Sequence, residues 1–299
     1  MTMTMLSVQQ IKQQAATTAK ALAVPAFWFT DWLLYVIDKP ALFLITDEHY
    51  HLTVSELAQF NAGVTKMEQG IPLAYLTGQQ EFWSLSFQVN EHTLIPRPDT
   101  EVLVEQVLDW INAQHKINSA NTQAHTVIPK RLLDLGTGSG CIAISLAHEL
   151  KRANFQVVAV DLSLEALKVA TANAQLNSID NIKFVPSRWY SELSTDASQL
   201  FDIIVSNPPY IDEADEHLAR LQAEPISALS AANKGLADIE HIVQQAPQYL
   251  QLGGLLAIEH GFDQGLAVRQ LLVDSGFDSV QTVKDFGGND RVTLGQLVP

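Results

Sequence analysis

Phe201-Asp202-Ile203-Ile204-Val205-Ser206-Asn207-Pro208-Pro209-Tyr210 is an apolar run that stops on two prolines. Its apolar character and short length read as a buried parallel strand. Neither proline can donate to a sheet ladder, so the strand ends abruptly there. The residues after Ser206 therefore form a loop at a strand's carboxyl end, where open α/β sheets place their ligands. That loop offers the planar amide of Asn207, a carbonyl with no competing helix, and the ring of Tyr210. Such a set can hold another planar NH2 group.

The surrounding pattern extends the same sheet in both directions. Strand-like stretches at Arg131–Leu135, Gln156–Val160, Ile182–Val185 and Leu255–Glu259 alternate with helix-like stretches at Cys141–Leu150, Leu164–Leu176, Ala237–Leu250 and Gln264–Asp274. Val280–Phe286 and Arg291–Leu297 read as a terminal strand pair. Alternation of this kind predicts a mostly parallel sheet with helices on both faces. Glu101–Gln114 reads as an amphipathic helix with Asp99 as its cap, and Ile117–Pro129 as a polar loop.

The first third of the chain differs. Residues 1–77 are expected to form a small helical domain, with Thr53 and Glu56 as a capping box and Gly63 and Gly70 as breaks between pieces. Residues 78–97 are expected to form a β-hairpin linker with its turn at Asn90-Glu91-His92. Residues 98–299 complete the α/β domain.

Leu133-Asp134-Leu135-Gly136-Thr137-Gly138-Ser139-Gly140 follows a strand and opens a helix. Its glycines permit a tight turn and close approach of backbone to a ligand. The spacing G-x-G-x-G departs from the dinucleotide fingerprint, and no Lys-Ser/Thr follows as in a phosphate loop. The next strand ends in Asp161, whose carboxylate can accept from ribose hydroxyls. Loop and acid together resemble the S-adenosylmethionine site of class I methyltransferases, with a nicotinamide site as the other reading. Asp134 is read as holding the loop, and Cys141 as a small core residue at a helix start.

Composition narrows the partners. The chain has 299 residues and a net charge of -15. That balance argues against phosphate-backbone binding, which needs clustered Lys and Arg. A single cysteine excludes an intrachain disulfide and fits a reducing cytoplasm. No signal peptide or membrane span is evident, and the nine histidines show no metal-ligand spacing, so no metal is expected.

Four stretches carry a further resemblance: Gly78-Gln79-Gln80-Glu81-Phe82-Trp83, Ile95-Pro96-Arg97-Pro98-Asp99-Thr100-Glu101, Asn207-Pro208-Pro209-Tyr210-Ile211-Asp212 and Asn289-Asp290-Arg291-Val292-Thr293-Leu294-Gly295. Together they resemble the bacterial PrmC/HemK family, the glutamine N5-methyltransferases of peptide chain release factors. The resemblance implies a Rossmann-like class I methyltransferase fold with a seven-stranded sheet. It implies S-adenosylmethionine as donor, S-adenosylhomocysteine as product, and the Gly-Gly-Gln glutamine of class I release factors as acceptor. It also implies roles. Gly136, Thr137, Gly138, Ser139 and Gly140 would cradle the methionine part of the donor. Asp161 would hold the ribose, and Trp189 would lie near the adenine. Asn207 would touch donor and acceptor, and Asn207, Pro208, Pro209 and Tyr210 would hold the glutamine. Arg188 stands where the family often has Asp, and is read as pointing to solvent.

The chemistry follows from the acceptor. An amide nitrogen is a poor nucleophile, so orientation matters more than base strength. Asn207 and the Pro208 carbonyl are expected to accept the two N–H groups, with Tyr210 stacked on the amide plane. Arg97, Asp99 and Glu101 are read as fixing the hairpin-to-helix junction, and Asp212, Glu213, Asp215 and Glu216 as a solvated loop. A monomer without direct nucleic-acid or membrane contact is expected. The rival readings are a ribosomal-protein glutamine methyltransferase, a nucleic-acid adenine N6-methyltransferase, and a non-enzymatic adaptor that binds S-adenosylmethionine.

Overall fold

The computed structural model describes residues 6–119, 130–151 and 153–298, and divides into two compact units, Met1–Gly78 and Gln79–Pro299. The first unit is helical: α1 (Val8–Leu22), α2 (Phe27–Ile37), α3 (Phe43–Thr46), α4 (Val54–Glu68) and α5 (Leu73–Thr77). Thr53 caps α4 as the sequence suggested, accepting from the Glu56 amide at 3.3 Å while Glu56 accepts from the Thr53 amide at 2.7 Å. Gly63 is no break. It sits inside α4, where a Cβ would fall 2.1 Å from the Trp32 ring, and Trp32 Nε1 donates to the Phe60 carbonyl oxygen at 3.0 Å. The missing side chain makes room for the largest residue of this core. Gly70, with φ 86°, is the break that follows α4.

The second unit opens with a hairpin, β1 (Gln79–Phe82) and β2 (Leu85–Gln88). Its turn is Trp83-Ser84, both with positive φ, and not Asn90-Glu91-His92 as the sequence suggested. A type I′ two-residue hairpin turn requires that left-handed pair, and usually shows it as Asn or Gly. Here Glu101 Oε1 stabilises the turn by accepting from the Trp83 amide at 2.8 Å.

A 3₁₀ turn (Pro98–Thr100) leads into α6 (Glu101–Ser119). Asp99 lies inside that turn and does not cap the helix. Of the expected loop at Ile117–Pro129, Ile117–Ser119 belong to α6, and residues 120–129 lie outside the described ones. Then follow β3 (Lys130–Leu135), α7 (Cys141–Glu149), β4 (Phe155–Asp161), α8 (Leu164–Leu176), β5 (Ile182–Pro186) and β6 (Phe201–Ser206). A two-residue pair, β7 (Ile211–Asp212) and β8 (Ser230–Ala231), was not foreseen. The chain ends with α9 (Ala237–Gln245), β9 (Leu250–Glu259), α10 (Gly265–Asp274), β10 (Phe277–Lys284) and β11 (Asp290–Leu297). The helix expected to run to Leu250 stops at Gln245, and β9 takes Leu250 as its first residue.

The seven-stranded sheet has the order β10-β11-β9-β6-β3-β4-β5, and only β11 runs against its neighbours. Alternate residues of each strand serve two cores. Leu132, Val157, Ile203 and Ala257 pack with Val104, Val107, Ile144 and Ala147 on α6 and α7. Leu133, Val158, Ile204 and Leu256 pack with Ile239, Ile242, Val268 and Leu272 on α9 and α10. The strand order reverses beside β3, since β4 lies on one side and β6 on the other. A crevice at such a reversal is where open sheets hold ligands. No helix among the described residues is long and apolar enough to cross a membrane.

Candidate active site

Two loops leave the carboxyl ends of β3 and β6 at the same level, because Leu135 and Ser206 are paired in register. The Ser206 hydroxyl, fully buried, donates to the Leu135 carbonyl oxygen at 2.8 Å. Gly136–Gly140 and Asn207–Tyr210 thus start side by side.

In the glycine loop, Gly136, Gly138 and Gly140 have φ of 73°, 56° and 84°, conformations that L side chains rarely adopt. A Cβ on Gly138 would enter open space, so this backbone is available to a ligand. Thr137 and Ser139 turn inward instead. Thr137 Oγ1 donates to Asp134 Oδ2 at 2.6 Å, and the Ser139 hydroxyl is buried. They can serve a ligand through backbone only. Buried Asn173 on α8 supports the loop by donating to the Ser139 carbonyl oxygen at 2.8 Å. Burial pushes the Asp134 carboxyl up to about 7, against the pull of Thr137 and the Ala143 amide. Burial likewise pushes the Cys141 thiol up to about 12, so it is no thiolate nucleophile at neutral pH.

Asp161, at the end of β4, faces the same loop. Its Oδ2 accepts from the Gly138 amide and its Oδ1 from the Ser163 amide, each at 2.8 Å. Burial raises its pKa, and those amides oppose the rise. The Trp189 ring lies over Gly136, where a Cβ would meet it at 3.2 Å, and its Nε1 donates to Asp238 at 3.2 Å. Arg188 beside it is exposed. The three elements line a cradle with a carboxylate and an aromatic wall, which fits a nucleoside joined to a charged amino acid.

The proline loop is held from three directions. Asn207 Nδ2 donates to Thr100 Oγ1 at 3.2 Å. The Tyr210 hydroxyl donates to Glu259 Oε1 at 3.3 Å. Gln264 Nε2 donates to the Tyr210 carbonyl oxygen at 2.9 Å. Gly235 lies so close that a Cβ there would fall 1.9 Å from that oxygen. Pro208 and Pro209 are buried, which leaves the corner little freedom. Burial, and then the charge of Glu259, raise the Tyr210 pKa, so the phenol stays a donor.

The Ile95–Glu101 stretch does more than fix a junction. Only Glu101 binds the hairpin turn. Arg97 forms an ion pair with the buried Glu224 carboxylate, which also accepts from the Ile95 amide at 3.1 Å. Asp99 faces Arg291 at 3.7 Å, and Arg291 also donates to Asp285 at 2.9 Å. Thr100 reaches Asn207. Asp212 lies in β7 and is half-buried, whereas Glu213, Asp215 and Glu216 are exposed, as a solvated loop should be.

Sequence reasoning missed Thr100, Glu224, Gly235, Glu259 and Gln264 as site neighbours. Glu259 carried the one usable signal: an acid closing an apolar strand run that is predicted to end at the same sheet edge.

Comparison with known proteins agrees with this geometry. The family model described as Methyltransferase small domain matches residues 119–288, and the one described as PrmC N-terminal domain matches residues 29–78. A release factor glutamine methyltransferase of Shewanella oneidensis is 43% identical, covering 88% of this chain and 86% of its own. The protein of that name in Escherichia coli K12 is 44% identical, covering 88% and 89%. Among solved structures, the hMettl16 catalytic domain in complex with the MAT2A 3′UTR hairpin 6 superposes with a TM-score of 0.54 at 20% identity, covering 76% of this chain and 82% of that one, a likeness of fold.

Proposed function

This chain belongs to the release factor glutamine methyltransferases, and from that premise we infer that it transfers a methyl group from S-adenosylmethionine to the side-chain amide nitrogen of the Gly-Gly-Gln glutamine of class I release factors. The observation that carries the reading is the shared root of the two loops, which brings a nucleoside cradle beside a planar-amide holder.

S-adenosylmethionine, when bound, supplies a methyl on a sulfonium that leaves without acid assistance. The protein's task is therefore to pose the amide. Asn207 Oδ1 and the Pro208 carbonyl oxygen accept the two N–H groups of the glutamine. Those bonds favour a pyramidal nitrogen and aim its lone pair at the donor side of the crevice. Positive charge grows on that nitrogen as the bond forms, so both hydrogen bonds strengthen in the transition state. Tyr210, with its hydroxyl held by Glu259, presents its ring to the amide plane. On the donor side, the backbone of Gly136–Gly140 receives the methionine part, Asp161 the ribose and Trp189 the adenine. No direct nucleic-acid contact, a monomeric state and a cytoplasmic setting complete the proposal.

Methyl transfer from tritiated donor tests it, with release factor, ribosomal protein and DNA offered in parallel. Label on the release factor alone is the expected result. Label on either alternative, with none on the release factor, would remove the assignment of substrate.

A further inference from the structure

The reading above needs the oxygen of the Asn207 carboxamide turned toward the acceptor, and a lone asparagine does not decide that. The O and NH2 ends of an amide are alike in shape and differ only in whether they accept or donate. Thr100 Oγ1, 3.2 Å from the amide, does not decide it either, because a hydroxyl both accepts and donates. The asymmetry comes from the next group along. Glu259 is 1% exposed; its Oε1 accepts from Tyr210, and its Oε2 makes no hydrogen bond of ordinary geometry. The Thr100 hydroxyl is also close enough to hydrogen-bond this carboxylate.

We propose that Glu259, acting through Thr100, fixes which end of the Asn207 carboxamide faces the acceptor glutamine. The proposal rests on the reading of Asn207 as holder of that glutamine. An ionised carboxylate has no proton to give, so Thr100 must donate to it. The Thr100 oxygen is then free to accept, and only the NH2 end of Asn207 can supply the proton. Asn207 Oδ1 is left pointing into the crevice, where, among the described residues, no hydrogen bond occupies it. The same carboxylate accepts a hydrogen bond from the Tyr210 hydroxyl, so one buried acid orders both polar side chains of the loop. Both are positioning residues: neither Glu259 nor Thr100 need touch the reacting atoms.

A protonated Glu259 would break the order, because its own O–H could donate to Thr100 and let the amide turn over. The titratable groups facing it are Tyr210 on the loop, Asp99 on the 3₁₀ turn, Arg291 on β11 and Cys141 at the start of α7. Burial pushes the Glu259 carboxyl up to about 7; Thr100, Arg291 and Tyr210 pull it back, and Asp99 pushes it further. The relay is thus set as pH rises through neutrality.

The test measures methyl transfer to release factor by full-length Thr100→Val, Thr100→Ser, Glu259→Gln and Asn207→Ala, with donor affinity by calorimetry. Thr100→Val should lower kcat by roughly 10- to 100-fold while donor Kd moves less than about 2-fold. Thr100→Ser, which keeps the hydroxyl, should restore most of the turnover. The parent's kcat should rise between about pH 6 and 8, and Glu259→Gln should flatten that limb. Parent-like turnover in Thr100→Val would overturn the relay whether or not Glu259→Gln folds. A rising limb kept in Glu259→Gln would overturn it too. Slow Asn207→Ala beside unimpaired Thr100→Val refutes the relay alone, whereas unimpaired Asn207→Ala refutes the reading beneath it.

Discussion

Ser206 and Leu135 stand opposite each other across the central parallel strands, and the buried Ser206 hydroxyl donates to the Leu135 carbonyl oxygen at 2.8 Å. One hydrogen bond thus joins the roots of the glycine loop and the proline loop. Ser206→Ala should cost about 1 kcal/mol of stability, the net worth of one such bond. It should also slow turnover, because near-attack geometry tolerates little displacement. Thermal melting alongside steady-state kinetics checks this; a stability loss with unchanged kcat would show that the bond matters to the fold alone.

Gly235 supports the proline loop by lacking a side chain. Its φ is 78°, and a Cβ would fall 1.9 Å from the Tyr210 carbonyl oxygen, a backbone atom that cannot swing aside. Gly235→Ala is expected to displace Tyr210 and lower kcat by at least about 10-fold, with donor affinity little changed. Calorimetry and kinetics on the same preparation separate the two effects.

On the donor side, the proposal assigns the ribose hydroxyls to the Asp161 carboxylate at the end of β4. Hydrogen bonds to charged groups contribute roughly 1.5–3 kcal/mol, so Asp161→Ala should weaken donor binding by about 10- to 100-fold. The exposed neighbour Arg188 should not matter: Arg188→Asp is expected to leave donor Kd within about 2-fold. A large gain in that variant would mean that position 188 faces the adenine.

Asp134 makes stability depend on pH. Its carboxyl titrates at about 7 in the folded chain against an ordinary 3.8. Between those values the folded state holds a proton that the unfolded state has lost. The stabilisation is therefore full below about 3.8 and disappears as pH rises through about 7. Melting temperature measured against pH should fall less steeply across that window in Asp134→Asn than in the parent. Some slope should remain, since Glu259 is raised in the same direction.

Much of this was legible in the linear text, and for physical reasons. Strands Phe201–Ser206 and Lys130–Leu135 announce themselves by the apolar clusters Ile203-Ile204-Val205 and Leu132-Leu133, because both faces of the strand are buried there. Thr53 and Glu56 show a capping box because both partners lie three residues apart. What stayed hidden depends on long-range encounters. Trp83-Ser84 makes a tight turn without Gly or Asn because Glu101, 18 residues away, holds its amide. Gly63 resembles a break until Trp32 is seen filling its place. Asp99 resembles a cap, yet it faces Arg291. At the site, Gly136–Gly140 and Asn207–Tyr210 carry their chemistry in local motifs. Thr100, Glu259 and Gln264 become partners of Asn207 and Tyr210 only when the 3₁₀ turn, β9 and the start of α10 meet the proline loop.

Mass spectrometry of a release factor incubated with S-adenosylmethionine and either the parent protein or Asn207→Ala probes the core of this picture. The parent should add the mass of one methylene to the Gly-Gly-Gln glutamine, and Asn207→Ala should do so roughly 10²–10³-fold more slowly at full folding. A modified residue other than that glutamine, or an Asn207→Ala rate equal to the parent's, would contradict it.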